Sequence, residues 1–226
     1  MQRVTPNPSP LIGIVGSAGA YGRWLQHFFQ ERMGLEVIGH DPVDPASTDE
    51  AELVQRADVL VFSAPIRRTG ALIARYAELA AGSEAGRLWL DVTSIKTAPV
   101  AAMLASRAEV VGLHPMTAPP KTPTLKGRVM VVCEARLDAW RPWMASLLAA
   151  LEAECVQATP EQHDRVMALV QAMVHAAHLA QAGVLRSEAA RAGPLDALMP
   201  FRSASFEMDA AIIARMTRST MLEVLR

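Results

Sequence analysis

The sequence predicts an α/β protein, with an N-terminal, doubly wound, mostly parallel sheet followed by a small all-helical domain. Over the first two thirds of the 226 residues, short apolar runs alternate with longer helical patterns, which is typical of a parallel sheet covered by helices on both faces. Beyond residue 158 the β pattern stops and only helical patterns remain. We therefore expect a sheet domain over residues 1–158 and a helical domain over residues 159–226.

The expected strands are short, mainly aliphatic runs, of the kind that is buried on both faces of a parallel sheet. They are Leu11–Val15, Leu35–Gly39, Asp58–Phe62, Leu88–Val92, Val110–Leu113 and Val129–Cys133. The helices expected between them carry apolar residues at helical spacing, such as Trp24, Leu25 and Phe28 in the first. They are Ala20–Met33, Ala51–Arg56, Thr69–Ala81, Pro99–Ala105 and Leu137–Ala153.

A long helix is expected from Thr159 to about Arg191, because Thr159 suits the N-cap, Pro160 suits the first turn and little after them breaks a helix. A short helical segment after Gly193-Pro194 and a final helix from about Ser205 follow. The long helix is apolar around much of its circumference, and the tail offers few partners of its own. We therefore expect a homodimer formed through the C-terminal helices.

Composition excludes several classes of protein. A formal net charge of -1 argues against nucleic-acid binding, which requires a basic surface. The two cysteines, Cys133 and Cys155, are too few for a disulfide framework and indicate a reducing compartment. No apolar run reaches the roughly 18 residues that are needed to span a bilayer. We expect a cytoplasmic protein with neither a nucleic-acid nor a membrane partner.

A glycine-rich turn, spaced G-x-x-G-x-x-G from Gly16 to Gly22, follows the first strand and opens the first helix. Such glycines let the backbone approach a pyrophosphate closely, and the helix N-terminus favours its negative charge. Asp41, after the second strand, can accept hydrogen bonds from both ribose hydroxyls and disfavours a 2′-phosphate. These features predict a Rossmann domain that binds NAD; NADP is less favoured, although Arg67 and Arg68 leave it open. The candidate cofactor-binding residues are Gly16, Ser17, Ala18, Gly19, Tyr21, Gly22, Asp41, Ser63, Ala64 and Pro65.

Three loops are expected at the carboxyl ends of the strands, where doubly wound sheets bind ligands. They are Ser63–Ile66, Asp91–Lys96 and Gly112–Met116. His114 is the candidate base, because an imidazole beside the nicotinamide can take a proton from a hydroxyl while hydride leaves the same carbon. The alternative is structural: Asp91 and Ser94 cap the next helix, Lys96 is solvated and His114 is a polar loop residue.

Polar side chains recur along one face of the long helix. His163, Met167, Gln171 and His175 are spaced by four residues, and His178 lies three further on. This stripe is expected to face a polar cleft; the alternative is packing, with the histidines bonded to backbone or water. A metal site at His175 and His178 is disfavoured, since zinc draws three or four protein ligands. We therefore expect no metal.

Taken together, these segments resemble the prephenate and arogenate dehydrogenase family of tyrosine biosynthesis. The matching residues are Ile14-Val15-Gly16 with Gly19 and Gly22, Ser63-Ala64-Pro65-Ile66, Asp91 with Ser94-Ile95-Lys96, Gly112-Leu113-His114-Pro115-Met116, His163-Asp164 with Met167, Gln171 and His175, and Phe206 through Arg215. The resemblance implies a Rossmann domain, a helical dimerisation and substrate domain, and the NAD-dependent oxidative decarboxylation of prephenate, a cyclohexadienol, to 4-hydroxyphenylpyruvate.

The resemblance also implies roles for single residues. His114 polarises or deprotonates the ring hydroxyl, with Ser94 hydrogen-bonding nearby. Arg215 grips the ring carboxylate, for which a guanidinium is well shaped, and His175 contacts the substrate from the helical domain. The candidate substrate-binding residues are His163, Gln171, His175 and Arg215.

The sequence departs from the family pattern in the loop Thr117–Lys121, which replaces a glycine-containing and often acidic stretch. Three alternatives therefore stay open. The substrate is arogenate or 4-amino-4-deoxyprephenate, or the chain is a catalytically silent NAD-binding relative, or it is a β-hydroxyacid dehydrogenase. The last is disfavoured, because that group requires a lysine early in the long helix and no lysine follows Lys126.

Overall fold

The computed structural model describes residues 7–218, and within them seven strands form one sheet in the order β2-β1-β3-β4-β5-β6-β7. The strands are β1 (Ile12–Val15), β2 (Val37–His40), β3 (Val59–Phe62), β4 (Leu88–Asp91), β5 (Glu109–Pro115), β6 (Val129–Arg136) and β7 (Glu154–Gln157). The first five run parallel, β6 is antiparallel to β5, and β7 is parallel to β6. This confirms the doubly wound, mostly parallel sheet.

The chain changes direction across the sheet after β2. β1 pairs with β2 on one side and with β3 on the other, so the loops that follow β1 and β3 diverge and leave a crevice at their carboxyl ends. The loops after β4 and β5 continue the same edge of the sheet. The candidate residues in the loops after these strands, such as Ser63, Ser94 and His114, therefore share one edge.

Five helices cover the sheet. They are α1 (Ala20–His27), which continues as a π-helical segment (Phe28–Arg32), α2 (Glu50–Arg56), α3 (Ile66–Ala80), α4 (Thr97–Leu104) and α5 (Arg141–Leu151). Successive strand residues point to opposite faces, so Ile12 and Ile14 pack with the α1 and α5 layer. Val15 and Phe62 pack with the layer of α2, α3 and α4. Both faces of the inner strands are buried, which explains why their residues are aliphatic throughout and do not alternate between apolar and polar.

The start of α5 differs from the sequence prediction for a physical reason. Glu109, at the beginning of β5, accepts hydrogen bonds from the backbone N–H groups of Asp138 at 2.7 Å, Ala139 at 2.9 Å and Trp140 at 3.1 Å. These donors precede the helix, which therefore begins at Arg141 rather than at residue 137. A contact between residues almost thirty positions apart leaves no local pattern in the sequence.

The strand β7 is absent from the sequence prediction. All four of its residues are exposed, because β7 is the edge of the sheet and pairs with β6 alone. Its sequence, Glu-Cys-Val-Gln, lacks the aliphatic run that marks the inner strands. The pattern that identifies a strand buried on both faces therefore misses an exposed edge.

The remaining helices follow β7. They are α6 (Pro160–Met167), a π-helical segment (Ala168–Met173), α7 (Val174–Ala192), α8 (Leu195–Leu198), a 3₁₀ turn (Met199–Phe201) and α9 (Ala204–Arg218). The chain divides into two compact units after Asp164, so the first five residues of α6 belong to the unit that contains the sheet. The sequence boundary at residue 158 remains a prediction based on element type.

The helical stretch Pro160–Ala192 is long and apolar enough to cross a membrane by length and composition alone. The count of uninterrupted apolar residues does not reveal this, because Gln171, His175 and His178 interrupt the run. A helix that packs in the core of a soluble protein or between subunits has the same composition. The apolar surface of this stretch therefore needs a partner, whichever kind it is.

We predict that Glu109→Ala lowers the free energy of unfolding by about 1–2 kcal/mol, because three backbone donors at the start of α5 lose their acceptor. Urea denaturation measures the change, with Glu154→Ala on the exposed strand β7 as the control. A change within about 0.5 kcal/mol of the control contradicts the role given to Glu109.

Candidate active site

The turn after β1 can be formed only by a residue without a side chain. Gly16 has φ of +87°, and a Cβ at this position would lie 2.5 Å from the Ser63 carbonyl oxygen. Its N–H donates to the His40 carbonyl oxygen at 2.8 Å. The ends of β1, β2 and β3 are thus drawn together around Gly16, in the crevice of the sheet.

The first turn of α1 is open to an anion. Gly19 is the N-cap and no described side chain bonds to the free N–H groups that follow it. A Cβ on Gly22 would lie 2.1 Å from the Gly16 carbonyl oxygen, so the helix packs against the turn as closely as a backbone can. Free amides at the start of a closely packed helix fit a pyrophosphate, which supports a dinucleotide cradle.

Asp41 lies beside this cradle. Its Oδ2 accepts from the Ala18 N–H at 3.1 Å, and its Oδ1 accepts from the Val43 N–H at 3.1 Å. The carboxylate is therefore fixed next to the glycine-rich turn, where a ribose would follow the pyrophosphate. Ser17 is buried in the same turn, against Gly39.

The Tyr21 side chain is bonded to the loop that follows β5. Its hydroxyl donates to the Thr117 carbonyl oxygen at 2.9 Å, and burial raises its pKa well above the usual range. Trp24, one turn later, donates from its indole nitrogen to the Thr122 carbonyl oxygen at 2.9 Å. Two aromatic side chains of α1 thus hold the proline-rich loop that follows β5.

A lysine and an aspartate are buried together at the carboxyl end of β4. The Lys96 ammonium donates to Asp91 Oδ1 at 2.5 Å and to the Leu113 carbonyl oxygen at 2.7 Å, and neither charged side chain is exposed. Burial lowers the pKa of Lys96 and raises the pKa of Asp91, and the charge of each partner opposes the effect on the other. Lys96 is therefore not solvated, and Asp91 does not cap α4.

This buried pair fixes the backbone beside His114. Leu113 precedes His114 in β5, and its carbonyl oxygen is held by the Lys96 ammonium. Removing one partner of a buried ion pair typically costs about 3–5 kcal/mol, because the other charge is then left buried without a counter-ion. Ser94 is half-buried in the same loop, two residues before Lys96.

The His114 ring is buried and bonded to a second imidazole. Its Nδ1 lies 2.8 Å from His163 Nε2, and His163 Nδ1 lies 2.8 Å from Asp164 Oδ1. Because the Asp164 carboxylate accepts, we assign the proton of His163 to Nδ1, which makes its Nε2 an acceptor. The proton of neutral His114 then lies on Nδ1, and Nε2 carries the free lone pair.

The charge states of this chain of groups follow from burial and hydrogen bonding. Burial, followed by the neighbouring His163 and Lys96, lowers the pKa of His114 to about 3, and Asp164 acts in the opposite direction. Burial opposes ionisation of Asp164, but hydrogen bonds from Thr97, His163 and Lys96 outweigh it and lower the pKa of Asp164 to about 2. Near pH 7 the His114 ring is therefore neutral and Asp164 is ionised.

Asp164 also caps the N-terminus of α4. Its Oδ1 accepts from the Lys96 N–H at 2.8 Å and its Oδ2 from the Thr97 N–H at 2.9 Å. Lys96 precedes the helix and supplies no side-chain cap, so the carboxylate of a distant residue takes that place. The sequence does not indicate this role, because 68 and 67 positions separate the partners.

The second compact unit contains three of the four predicted substrate ligands. Partial burial, followed by the neighbouring His178 and Arg215, lowers the pKa of His175. His178 is engaged by the Val174 carbonyl oxygen at 2.8 Å and by Asp209 at 3.4 Å. Arg215 is exposed, and Gln171 is half-buried one turn before His175.

The fourth predicted substrate ligand, His163, lies elsewhere. It is 2% exposed, and both of its ring nitrogens are bonded, one to His114 and one to Asp164. No nitrogen is left for a substrate, so the ring supports His114 instead. Lys96 and Asp164 belong to the motifs that resemble the family, but the sequence assigns neither of them a role in the site; the adjacent His-Asp pair at a helix start is the signal it offers.

Within residues 7–218, no group of three or more His, Cys, Asp or Glu side chains is arranged to hold a metal ion. Cys133 is buried and Cys155 is exposed on β7, and both are free thiols. Burial raises the pKa of Cys133 to about 11, so this thiol is protonated near pH 7.

Comparison with known proteins places the chain in a family. The sequence model of the family "Prephenate dehydrogenase, nucleotide-binding domain" matches residues 40–157, just over half of the chain. The chain belongs to this family. The match begins after the glycine-rich turn and ends with β7, so it covers the strands that carry Asp91 and His114.

Individual proteins related to this chain match more of it than the family model does. The T-protein of Enterobacter agglomerans is 29% identical over 213 residues, which are 93% of this chain and 54% of that protein. The "Probable arogenate/prephenate dehydrogenase" of Methanocaldococcus jannaschii is 27% identical over 199 residues, 80% of this chain and 43% of that protein. The chain thus spans about half the length of these curated relatives.

The fold is shared with a solved member of the family. Prephenate dehydrogenase from A. aeolicus, crystallised with hydroxyphenyl propionate and NAD+, superposes with a TM-score of 0.71 and 18% sequence identity. The alignment covers 90% of this chain and 77% of that chain. The likeness supports the Rossmann-type sheet with a helical region after it.

We predict that Gly16→Ala weakens NAD binding about tenfold, because the new Cβ meets the Ser63 carbonyl oxygen and the left-handed backbone costs about 1–3 kcal/mol in strain. Calorimetric titration with NAD measures the dissociation constant. Gly34→Ala is the matched control, since Gly34 also has a positive φ, of 65°, but open space around it. Equal affinity of the two variants for NAD would show that this turn does not form the NAD-binding site.

Proposed function

We propose that the chain is an NAD-dependent dehydrogenase that converts prephenate to 4-hydroxyphenylpyruvate with release of carbon dioxide. One observation carries the proposal: a neutral His114 is held at the carboxyl end of β5, with Nδ1 on His163 and the lone pair of Nε2 available to a hydroxyl. Membership of the prephenate dehydrogenase family and the names of the relatives support this reaction type.

The proposed reaction needs one base that takes a proton and later returns it. NAD supplies the hydride acceptor when it is bound. His114 accepts the proton of the ring hydroxyl at Nε2 as hydride leaves the carbon that bears this hydroxyl. Loss of the ring carboxylate as carbon dioxide breaks a carbon–carbon bond, and its electron pair makes the ring aromatic. The phenolate oxygen then takes the proton back from His114.

The helical unit is proposed to supply the substrate ligands. Arg215 is an exposed guanidinium, which is suited to a ring carboxylate through two parallel hydrogen bonds. His175 has a lowered pKa, so it is neutral near pH 7 and offers both a donor and an acceptor nitrogen. Gln171 is one turn from His175, and Ser94 in the sheet unit is proposed to bond near the hydroxyl.

Charge favours prephenate over arogenate or an amino analogue. Prephenate carries a keto acid side chain, whereas the alternatives carry an ammonium group that a nearby carboxylate would stabilise. The segment between His114 and Glu134 has no acidic residue and contains Lys121, Lys126 and Arg128. A basic segment directly after the proposed base therefore supports the substrate without an ammonium group.

The surroundings of the ribose site favour NAD over NADP. The Asp41 carboxylate is fixed beside the glycine-rich turn by the Ala18 N–H, and a second carboxylate, Asp44, lines the same groove as Ser17. Two negative charges repel a 2′-phosphate and accept from ribose hydroxyls. The cations that would oppose this preference are Arg23, which lines the same groove, and Arg67 and Arg68 in the first turn of α3.

A homodimer is proposed to form through the long helical stretch. One face of it exposes Val166, Leu169, Val170 and Met173, each of which is at least 45% exposed in the single chain. Their spacing of three and four residues makes a continuous apolar stripe. A second copy that presents the same stripe covers it at a two-fold axis.

We predict that the protein forms NADH from NAD and prephenate, and that His114→Asn lowers kcat by about 10²–10⁴-fold while the NAD dissociation constant stays within about twofold of the wild-type value. His27→Asn, an exposed histidine of α1, is the control and keeps full activity. NADH absorbance follows the reaction.

The same assay separates the alternatives. With arogenate or the amino analogue in place of prephenate, and with NADP in place of NAD, kcat/KM is expected to fall by about tenfold or more. A higher kcat/KM with arogenate overturns the substrate assignment, and no activity with any of these pairs overturns the proposed function.

We predict that Leu169→Glu combined with Met173→Glu converts the dimer to a monomer, because buried carboxylates in an apolar interface are strongly disfavoured. Sedimentation velocity measures the mass. The control is Val43→Glu, which makes the same kind of change at a side chain 79% exposed in the sheet unit. A wild-type monomer at micromolar concentration contradicts the proposed dimer.

A further inference from the structure

We infer that Asp164 is a positioning residue for His114 and acts through His163, because one carboxylate holds both rings in the tautomers that make His114 Nε2 the proton acceptor. This inference rests on the proposed function and adds two residues to it. Asp164 is bonded to His163 and to two backbone N–H groups, and not to His114, so it positions the His114 ring through His163.

The orientation of the carboxylate is fixed before the histidines are considered. Asp164 accepts from the backbone N–H of Lys96 at 2.8 Å and from that of Thr97 at 2.9 Å, one on each oxygen. A backbone N–H can only donate, so both carboxylate oxygens are held as acceptors. The oxygen that binds Lys96 is also the one that lies 2.8 Å from His163 Nδ1.

This fixed acceptor determines the rest of the chain of hydrogen bonds. His163 must present an N–H at Nδ1, which leaves its Nε2 with a lone pair. His114, whose Nδ1 lies 2.8 Å from that lone pair, must in turn carry its proton on Nδ1. The side chain of His163 is completely buried, so water does not compete for either of its nitrogens.

Lys96 connects the ring support with the backbone support. Its N–H binds Asp164, while its ammonium binds the carbonyl oxygen of Leu113, the residue before His114. The imidazole is therefore held from two directions: through its ring by His163 and through its backbone by Lys96. A change at Asp164 loosens the first of these supports and leaves the second in place.

The charges that face His114 come from three elements. His163 and Asp164 lie on α6. Lys96 lies just before α4, and it is paired with Asp91 of β4. Of the groups that affect the pKa of His114, only Asp164 raises it, and it thereby favours the imidazolium that forms when His114 takes a proton. Asp164 itself stays ionised, because hydrogen bonds hold its pKa at about 2.

The first test compares two helix-capping aspartates. Asp164→Ala is expected to lower kcat by about 10²–10⁴-fold, with the KM values for NAD and prephenate within about threefold of wild type. Asp49→Ala is the matched control: Asp49 caps α2 through the N–H groups of Ala51 at 2.8 Å and Glu52 at 3.4 Å. Both variants are expected to lower Tm, but only Asp164→Ala lowers kcat.

A pair of variants at His163 separates positioning from packing. The amide oxygen of His163→Gln can accept from His114 Nδ1, whereas His163→Leu fills the space without an acceptor. His163→Gln is therefore expected to keep at least about tenfold more activity than His163→Leu. Equal activity of the two variants, or a kcat of Asp164→Ala within about threefold of wild type, overturns the inference.

A second readout needs no activity. Nitrogen-15 NMR of the His114 ring is expected to show a proton on Nδ1 and a bare Nε2 in the wild-type protein, and a mixture of tautomers in Asp164→Ala. The same tautomer in both proteins overturns the inference. If the wild type lacks dehydrogenase activity while the tautomer still depends on Asp164, the proposed function fails and the positioning role stands.

Discussion

The backbone N–H groups of Lys96 and Thr97 need an acceptor at the start of α4, and the carboxylate of Asp164 supplies it. This constraint has consequences well beyond one helix end. A carboxylate held by two obligate donors cannot turn, so it sets the protonation pattern of any group bonded to it. His163 is that group, and His114 follows from it. A requirement of helix capping thus fixes which nitrogen of a buried imidazole is basic.

The sheet brings this arrangement next to the nucleotide edge. Parallel strands end on one side, so the glycine-rich turn after β1 and the buried pair after β4 lie along the same edge as His114. The charges along this edge differ by position. The Asp41 side chain accepts from a backbone N–H beside the glycine-rich turn, whereas Lys96 is buried with a counter-ion and His114 is neutral. A neutral base beside a compensated cation has a free lone pair at physiological pH.

Most of the sheet could be predicted from the sequence, because strands buried on both faces leave aliphatic runs and the turn around Gly16 tolerates only glycine. The exposed edge β7 and the start of α5 could not, since one lacks a core face and the other depends on Glu109. The position of His114 was predictable, but its partners were not. Asp164 and Lys96 act through contacts 17 to 68 residues apart, which no local pattern encodes.

The most direct test of the role of His114 is the position of the ring hydroxyl in a crystal structure of the protein with NAD and a hydroxylated substrate analogue. We expect this oxygen to lie about 2.6–3.2 Å from Nε2 of His114, while Nδ1 of the same ring stays bonded to His163. A hydroxyl bonded to another side chain, or a His114 ring that has left His163 to meet the ligand through Nδ1, would contradict it.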